Sequence, residues 1–292
     1  MTTTPLSVFA PAKINLTLHV CGRRADGYHL LDSLVVFAGT GDWISVRRAD
    51  DIRLDITGPY SQGLSGEGDN LVTRAARYLL AVTGRKEGAH ITLEKNLPIA
   101  SGIGGGSSDA AATLIALSQL WDENLAPLAD ADLAAKLGAD VPVCLRRVPT
   151  FMRGIGELLA PAPDLPPAWL VLVNPNKPLA TKAVFGALNG RTSAPQSEAL
   201  YRGLPTAADL GRILSGGRND LAAAAGEVMG EISEMLAALE GTPGCLLAQM
   251  SGSGPTCFGL YGDSQAAGAA AEALKSAQPG WWIAPAPLMS GA

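Results

Sequence analysis

The stretch "PIASGIGGGSSDAAATLIALSQL", residues 98–120, decides the first half of the fold because it places a glycine-rich loop directly before a helix. Glycine lacks the Cβ that bars positive φ and keeps a ligand away from the backbone. Apolar residues then recur at helical spacing, which predicts a helix that packs on a core. These packing residues are Ala111, Leu114, Ile115 and Leu117. Ser107, Ser108 and Asp109 are the predicted caps of this helix.

The start of such a helix favours phosphate, because its unpaired N–H groups and its dipole both attract negative charge. A flexible connector is the plainer interpretation, but the run is short and lies between "LPI" at 97–99 and a helix start. A dinucleotide fingerprint starting at Gly102 needs a glycine where the chain has Ser107, and a P-loop needs a glycine followed by lysine. We therefore expect a phosphate loop of a third kind.

The composition is that of an ordinary globular protein, with 292 residues, 47% hydrophobic residues and a net charge of −5. The acidic balance argues against nucleic acid or an anionic membrane as a partner. The start, "MTTTPLSVFAPAK", lacks the basic region and the long apolar core of a secretion signal, so the expected location is the cytoplasm. The most apolar short run, "AWLVLV" at 168–173, is too brief to cross a bilayer.

The four cysteines form no C-x-x-C pair, which predicts reduced thiols and argues against structural zinc. They are Cys21, Cys144, Cys245 and Cys257.

The order of predicted elements favours an α+β protein of two domains, 1–160 and 161–292, which join at the proline-rich "APAPDLPP" of 160–167. In the first domain, "KINLTLHV" at 13–20 alternates as a strand with one polar face. Further strands are predicted at 43–48, 52–57 and 90–95, and helices at 70–83 and 130–137. In the second domain, strands are predicted at 168–174, 245–250, 256–261 and 281–286, and helices at 181–188, 206–215, 220–240 and 264–277.

Four further motifs accompany the glycine loop: "PAKINL" at 11–16, "RADGYH" at 24–29, "LGADVP" at 137–142 and "SGSGP" at 251–255. Together they resemble the GHMP kinase superfamily, from Phe9 to about Tyr261. "PAKINL" followed by "RADGYH" narrows the resemblance to members that phosphorylate a cytidine-diphosphate methylerythritol. The resemblance implies an N-terminal α+β domain with the phosphate loop, a ferredoxin-like C-terminal domain with a helix-backed antiparallel sheet, and ATP with Mg²⁺ as cofactors.

The resemblance also implies a catalytic pair. Lys13 taken alone is more often a solvated lysine at a strand end, and Asp140 after Leu-Gly-Ala is common turn chemistry. The family places the matching lysine beside the reacting hydroxyl, where an ammonium favours the forming alkoxide. It places its catalytic aspartate at the position of Asp140, where a carboxylate is suited to accept the hydroxyl proton.

Substrate contacts are implied for five residues: Asn15, Tyr28, His29, Phe185 and Thr181. Tyr28 is expected to stack on cytosine and His29 to bond the base edge. A surface turn is the alternative for His29. Phe185 is equally well interpreted as a core residue or as the opposite jaw of the cytosine site.

ATP contacts are implied for the glycine-rich loop and for the start of the helix predicted at 70–83, where Asn70 is ordinarily only an N-cap. The loop residues are Pro98, Ala100, Ser101, Gly102, Ile103, Gly104, Gly105, Gly106, Ser107 and Ser108. Ile103 stands where such loops often carry leucine. Ser107 or Ser108 is a candidate to touch the metal or the phosphate oxygens. Gly252, Ser253 and Gly254 are expected to shape the pocket.

The expected protein is thus a small-molecule kinase that is a monomer or a weak homodimer, and it binds neither nucleic acid nor a membrane. Two alternatives stay open. One is a kinase of the same superfamily with another isoprenoid or sugar alcohol as acceptor. The other is a nucleotide-binding regulator that keeps the loop, which the presence of both Lys13 and Asp140 disfavours.

Overall fold

The computed structural model of the chain describes residues 5–62, 64, 70–125, 133 and 136–290. The strands are β1 (Leu6–Asn15), β2 (His19–Arg23), β3 (His29–Ala49), β4 (Arg53–Thr57), β5 (Gly88–Glu94), β6 (Thr150–Gly154), β7 (Leu158–Pro161), β8 (Trp169–Asn174), β9 (Leu247–Met250), β10 (Cys257–Tyr261) and β11 (Trp282–Met289). The helices are α1 (Leu71–Thr83), α2 (Gly105–Trp121), α3 (Val141–Arg146), α4 (Thr181–Ala187), α5 (Ala207–Ser215), α6 (Ala222–Val228), α7 (Glu231–Glu240) and α8 (Ser264–Ala277), with a 3₁₀ helix at Glu198–Tyr201. The helix predicted over 130–137 lies largely outside the described residues.

The chain folds as two compact units. Unit 1 combines Met1–Ala12, Gly41–Ile99 and Gly104–Arg146, and unit 2 combines Lys13–Thr40, Ala100–Ile103 and Arg147–Ala292. β1, β3 and the glycine-rich loop therefore each run from one unit into the other. The domain boundary at 160/161 stays a prediction.

Unit 1 builds a sheet from the second half of β3, β5 and β4. β3 pairs with β5 in antiparallel register from Trp43↔Glu94 to Ala49↔Gly88, and β4 pairs with β5 in parallel. α1 packs against α2, and α2 packs against α3. The predicted packing face of α2 is confirmed, since Ala111, Leu114 and Leu117 are fully buried.

Unit 2 contains an antiparallel sheet in the order β11-β8-β10-β9. With α7 and α8 packed on it, the chain order β8, helices, β9, β10, α8, β11 is the ferredoxin-like βαββαβ arrangement. Apolar residues of the strands meet those of the helices in one core. The predicted ferredoxin-like, helix-backed sheet is confirmed.

A second group of strands in unit 2 carries motif residues. The first half of β3 pairs with β2 from His29↔Arg23 to Asp32↔His19, with an irregularity between Val20 and Gly22. On its other side β3 pairs with β6, and β6 pairs with β7. This arrangement sets the "DGYH" turn at one end of the β2–β3 pair.

Two predicted elements are wrong in detail. "KINLTLHV" is not one strand, because β1 ends at Asn15 and β2 begins at His19. Its alternate polar residues do not form a solvated face: Lys13, Asn15, Thr17 and His19 are all buried. The helix predicted over 220–240 is two helices, interrupted at Met229, whose backbone is extended.

Candidate active site

The start of α2 lies in unit 1 and is shaped by glycine. Gly104 is the N-cap, in the left-handed region at φ 62°, and no side chain caps the helix. The predicted caps Ser107, Ser108 and Asp109 instead lie inside the helix, so that prediction is wrong. No side-chain cap is described for α2, so its first-turn amides and the helix dipole are suited to binding an anion.

The side chains that follow on α2 are used for packing. The Ser108 hydroxyl is buried and donates to the Pro11 carbonyl oxygen at 2.7 Å. Ser107 is half-buried and lies beside Gly138 of "LGADVP", where a Cβ added at Gly138 would be 4.0 Å from its Oγ. The Ser108 hydroxyl is thus already used in packing, whereas no such hydrogen bond is described for the Ser107 hydroxyl.

Behind the start of α2 lies a buried cluster of charges, Asp42, Lys95 and Asp109. The Lys95 ammonium donates to Asp42 Oδ2 at 2.5 Å and to Asp109 Oδ2 at 2.6 Å. Burial lowers the pKa of Lys95, but the two carboxylates outweigh it and the net shift is upward. Burial raises the pKa of Asp109 above its ordinary value, and the charge of Asp42 acts in the same direction, although Lys95 opposes the shift. Sequence reasoning missed this cluster, since "LEKNLP" carries no motif.

In unit 2, the segment Ala100–Ile103 interlocks with "SGSGP". Gly102, at φ 75°, has no room for a side chain, because an added Cβ would lie 2.5 Å from the Gly254 carbonyl oxygen. A Cβ added at Gly252 would lie 2.7 Å from the Gly102 carbonyl oxygen. The Thr256 amide donates to the Ser101 carbonyl oxygen at 3.1 Å. Gly102 is therefore required for backbone packing within this unit, which the sequence analysis had not identified.

Lys13 and Asn15 lie together at the end of β1 in unit 2. The Lys13 ammonium donates to Asn15 Oδ1 at 2.8 Å, and Asn15 Nδ2 donates to Ser33 Oγ at 2.8 Å. The Asn15 amide donates to Ser251 Oγ at 3.1 Å, and Ser251 Oγ donates to Gly102 O at 3.2 Å. The Lys13 amide donates to the Ile103 carbonyl oxygen at 2.9 Å. Residues of "PAKINL" and of "SGSGP" thus contact each other, and both contact the segment Ala100–Ile103.

Tyr28 and His29 lie where β3 begins. Tyr28 is 61% exposed, so the face of its ring is accessible. His29 stacks on Phe185 of α4 with ring centroids 4.7 Å apart and planes at 24°. Burial, and secondarily Arg23, lower the pKa of His29, so its ring is neutral at pH 7. Thr181 begins α4, and its hydroxyl lies 2.9 Å from that of Ser253.

Asp140 and Asn70 lie in unit 1. Asp140 is half-buried at the turn before α3, where its carbonyl oxygen accepts from the Cys144 amide at 3.1 Å. Asn70 caps α1, as its Oδ1 accepts from the Thr73 amide at 3.1 Å. Among the described residues, Asn70 Nδ2 is buried without a hydrogen-bond partner. A buried donor of this kind is suited to a polar ligand atom.

The remaining predicted loop residues differ in exposure. Pro98 is buried and Ile103 is fully buried, so both pack rather than face solvent. Ala100 is exposed with φ 51°, a conformation that is rare for a residue with a Cβ and common at functional sites. Gly106 is exposed in the first turn of α2.

The described residues contain no group of three or more His, Cys, Asp or Glu side chains that could hold a metal ion. Within the part of the chain described, no helix has both the length and the hydropathy needed to span a membrane. None of the four cysteines forms a disulfide in the structure, and Cys144 and Cys257 are buried whereas Cys21 and Cys245 are half-buried.

The chain is similar to known kinases over nearly its whole length. Residues 70–147 match the family model "GHMP kinases N terminal domain", and residues 198–280 match "GHMP kinases C terminal". It is 55% identical to the 4-diphosphocytidyl-2-C-methyl-D-erythritol kinase of Cereibacter sphaeroides strain ATCC 17025, over 95% of this chain and 97% of the relative. It is 52% identical to the kinase of the same name from Paramagnetospirillum magneticum, over 98% of this chain and 100% of the relative.

A solved structure supports the same family. The crystal structure of a 4-(cytidine 5'-diphospho)-2C-methyl-D-erythritol kinase superposes with a TM-score of 0.78 at 34% identity and covers 98% of this chain and 99% of that one. The likeness therefore extends from the motifs to the path of the backbone. The chain belongs to the GHMP kinases and, within them, to the 4-diphosphocytidyl-2-C-methyl-D-erythritol kinase family.

Proposed function

We propose that this chain transfers the γ-phosphoryl group of ATP to the 2-hydroxyl group of 4-diphosphocytidyl-2-C-methyl-D-erythritol, in the non-mevalonate synthesis of isoprenoid precursors. The observation that carries the proposal is Lys13, a buried lysine whose ammonium is held at 2.8 Å by Asn15 within "PAKINL". An ammonium costs free energy to bury, so its retention at this position indicates a use for its charge. The names of the relatives supply the acceptor.

ATP phosphates are assigned to the start of α2. No side-chain cap is described for this helix, and its N-cap is Gly104 in the left-handed region, so its first-turn amides are suited to phosphate oxygens. Mg²⁺ is bound mainly by phosphate oxygens in kinases and needs only one or two protein oxygens. The residues present fit this demand, because the Ser107 hydroxyl lies in the first turn and would supply an oxygen to the metal. The Ser108 hydroxyl already donates to Pro11. When bound, the metal neutralises charge on the phosphates.

The chemical step is assigned to Lys13 and Asp140 as a catalytic pair. Phosphoryl transfer needs positioning and charge stabilisation more than covalent chemistry from the protein. We assign Asp140 as the base that accepts the 2-hydroxyl proton, and Lys13 as the cation that favours the alkoxide. The pairing of the two residues is supported by the family likeness.

Recognition of the cytidine part is assigned to Tyr28, His29, Phe185 and Thr181. The exposed ring of Tyr28 offers a surface for a base to stack on. The neutral His29 ring has one donor and one acceptor nitrogen, which suits the acceptor and amine of the cytosine edge. Asn15 is assigned to hold the acceptor near Lys13, and Asn70 to contact ATP through its unpaired Nδ2.

The organisation of the chain is part of the proposal. The matches to the two family models lie on either side of 160/161, which supports domains 1–160 and 161–292. Four cysteines without a disulfide support the proposal of a reducing, cytoplasmic location. A monomer or weak homodimer is the proposed state, and light scattering at several protein concentrations measures it.

The test is release of ADP from ATP and Mg²⁺ with four acceptors compared at equal concentration. These are the cytidine-diphosphate substrate, its uridine analogue, mevalonate and homoserine. We expect rapid turnover with the cytidine compound, slower turnover with the uridine analogue and none with the other two. Fast turnover with mevalonate or homoserine would move the proposal to another acceptor, and ATP binding without turnover of any acceptor would favour a regulator.

A further inference from the structure

The buried cluster of Asp42, Lys95 and Asp109 ties together three segments of unit 1 at the start of α2. Asp42 lies on β3, Lys95 directly follows β5, and Asp109 lies in α2. All three side chains are buried, with Lys95 only 3% exposed. Asp42 Oδ1 also accepts from the amides of Asn96 and Leu97, at 2.6 and 2.8 Å. The position of the helix start is thus set by one ammonium and two carboxylates.

Gly105, the first residue of α2, faces this cluster. A Cβ added at Gly105 would lie 3.1 Å from the Lys95 ammonium nitrogen, 3.8 Å from Leu97 Cδ1 and 3.9 Å from Asp42 Oδ2. The first distance is closer than ordinary van der Waals contact, and the atom concerned is pinned by two ion pairs. The side-chain direction of Gly105 is therefore occupied by the protein itself.

We propose that Lys95 is a positioning residue for the phosphate loop, and that residue 105 is glycine because the Lys95 ammonium occupies the space of its side chain. Lys95 acts through the backbone of α2, whose first turn it holds through Asp109. The inference depends on the proposed function, because it takes the start of α2 as the site of the ATP phosphates.

Positioning matters here because the first-turn amides are fixed donors. A donor array stabilises transferred charge only when it is held in place before the reaction. A displacement of about 1 Å in such an array costs up to about a hundredfold in rate. Loss of the Lys95 ammonium should therefore impair the use of ATP before it impairs the use of the acceptor.

The first test uses the double variant Lys95→Met with Asp109→Asn. Lys95→Met alone leaves two carboxylates buried without a cation, and such a variant can fail to fold. In the double variant Asp109 is neutral, and Asp42 keeps its two backbone donors. We expect KM for ATP to rise about tenfold or more, while KM for the acceptor stays within about twofold.

Two matched controls separate positioning from general loss of stability. Leu79→Ala removes a fully buried side chain from α1 in the same unit and should lower the thermal midpoint without changing KM for ATP. Asp109→Asn alone keeps a hydrogen-bonding group beside Lys95, so its KM for ATP should rise less than that of the double variant. A folded double variant with wild-type KM for ATP would overturn the proposal.

The second test examines Gly105 directly. Gly105→Ala should raise KM for ATP about tenfold in the wild type, because the new methyl group displaces Lys95 or the helix start. In the Lys95→Met, Asp109→Asn background the space of the ammonium is vacated, so the same change should have a smaller effect. The control Gly268→Ala, on α8 with open space around the added Cβ, should leave KM unchanged.

The outcomes also separate this inference from the proposed function. Calorimetry of ATP with Mg²⁺ on the wild-type chain tests the function first, since absence of binding would remove the phosphate site itself. If the wild type binds ATP and Gly105→Ala has an equal effect in both backgrounds, the added methyl group meets the ligand rather than Lys95. That result would reject the inference and leave the kinase intact.

Discussion

Two buried lysines, Lys13 in unit 2 and Lys95 in unit 1, are equally removed from water and are held in different ways. Lys95 donates to two carboxylates, whose charges offset its own. One contact of the Lys13 ammonium is its hydrogen bond to the amide oxygen of Asn15, which helps to orient it. Both side chains are less than 5% exposed, so burial alone does not distinguish them.

On the proposed roles, the same residue type serves two purposes in one chain. The Lys95 cluster is suited to holding segments of unit 1 together, because ion pairs in a low-dielectric interior are rigid and costly to break. The Lys13 chain of hydrogen bonds passes through Asn15 to Ser33, and the Asn15 amide is held by Ser251. It is suited to holding one cation in place for a reaction.

The largest effect is expected from Lys13→Met. We expect kcat to fall about a thousandfold, since removing one preorganised charge donor costs about that much. KM for ATP should change little, and stability should fall by about 1 kcal/mol from the lost hydrogen bond to Asn15. Single-turnover kinetics and urea unfolding of the variant measure both quantities. Near wild-type turnover in Lys13→Met would show that the Lys13 ammonium is not needed for the reaction, and the proposed difference in role between Lys13 and Lys95 would be wrong.

Asp140→Asn should lower kcat about a hundredfold, because the amide cannot accept the hydroxyl proton. Thermal stability and ATP affinity should remain close to those of the wild type. Asp55→Asn is the matched control, as Asp55 is an exposed carboxylate of the same unit that pairs with His90. Equal kcat values for the two variants would remove Asp140 from the mechanism.

Tyr28→Ala should raise KM for the acceptor roughly tenfold to a hundredfold, the usual cost of a lost base stack of about 1–3 kcal/mol. KM for ATP should not change. Trp43→Ala is the control, since Trp43 is an exposed aromatic of unit 1, 43% accessible and packed against Phe9. If KM rose equally for ATP and for the acceptor in Tyr28→Ala, "DGYH" would be only a turn and would have no role in binding the base.

The smallest effect is expected from a change of Asp220, whose pKa shift is opposite in direction to that of Asp109. Asp109 in unit 1 has a raised pKa, whereas Asp220 in unit 2 has a lowered one. Burial acts to raise the pKa of Asp220, but hydrogen bonds from Ser193, the Val20 amide and Arg218 outweigh it. Because its folded pKa is depressed below the unfolded value of 3.8, Asp220 stabilises the fold above that pH. This contribution disappears as the pH falls through the folded pKa.

Asp220→Asn should therefore lower stability at pH 6, and the difference from the wild type should shrink at pH 3. Urea unfolding at pH 6, 4 and 3 measures it. Glu272→Gln, on the exposed face of α8, is the control and should change stability little. A stability difference that does not vary with pH would mean that Asp220 acts through shape rather than through its charge.

Much of the fold follows from local patterns. The apolar spacing after residue 110 predicts α2, and the structure confirms a helix over Gly105–Trp121. The ferredoxin-like arrangement of the second half is also predicted, through resemblance. The N-cap of α2 is not predicted, because Ser107, Ser108 and Asp109 are good caps by type while Gly104 reaches the left-handed region without a side chain. At this position the preference for a capping side chain is outweighed by the ability of glycine to adopt a positive φ.

The sequence by itself determined the family, the glycine loop with its helix, and Lys13, Asn15, Tyr28, His29 and Asp140 as the residues to examine, because these lie in short motifs whose spacing is local. Only the tertiary structure decided that Lys95 meets Asp42 and Asp109, which are 53 and 14 positions away along the chain. It also decided that Gly102 and Gly252 are needed for packing against each other. Contacts between distant segments depend on how strands and helices stack, and that information is spread over the whole core.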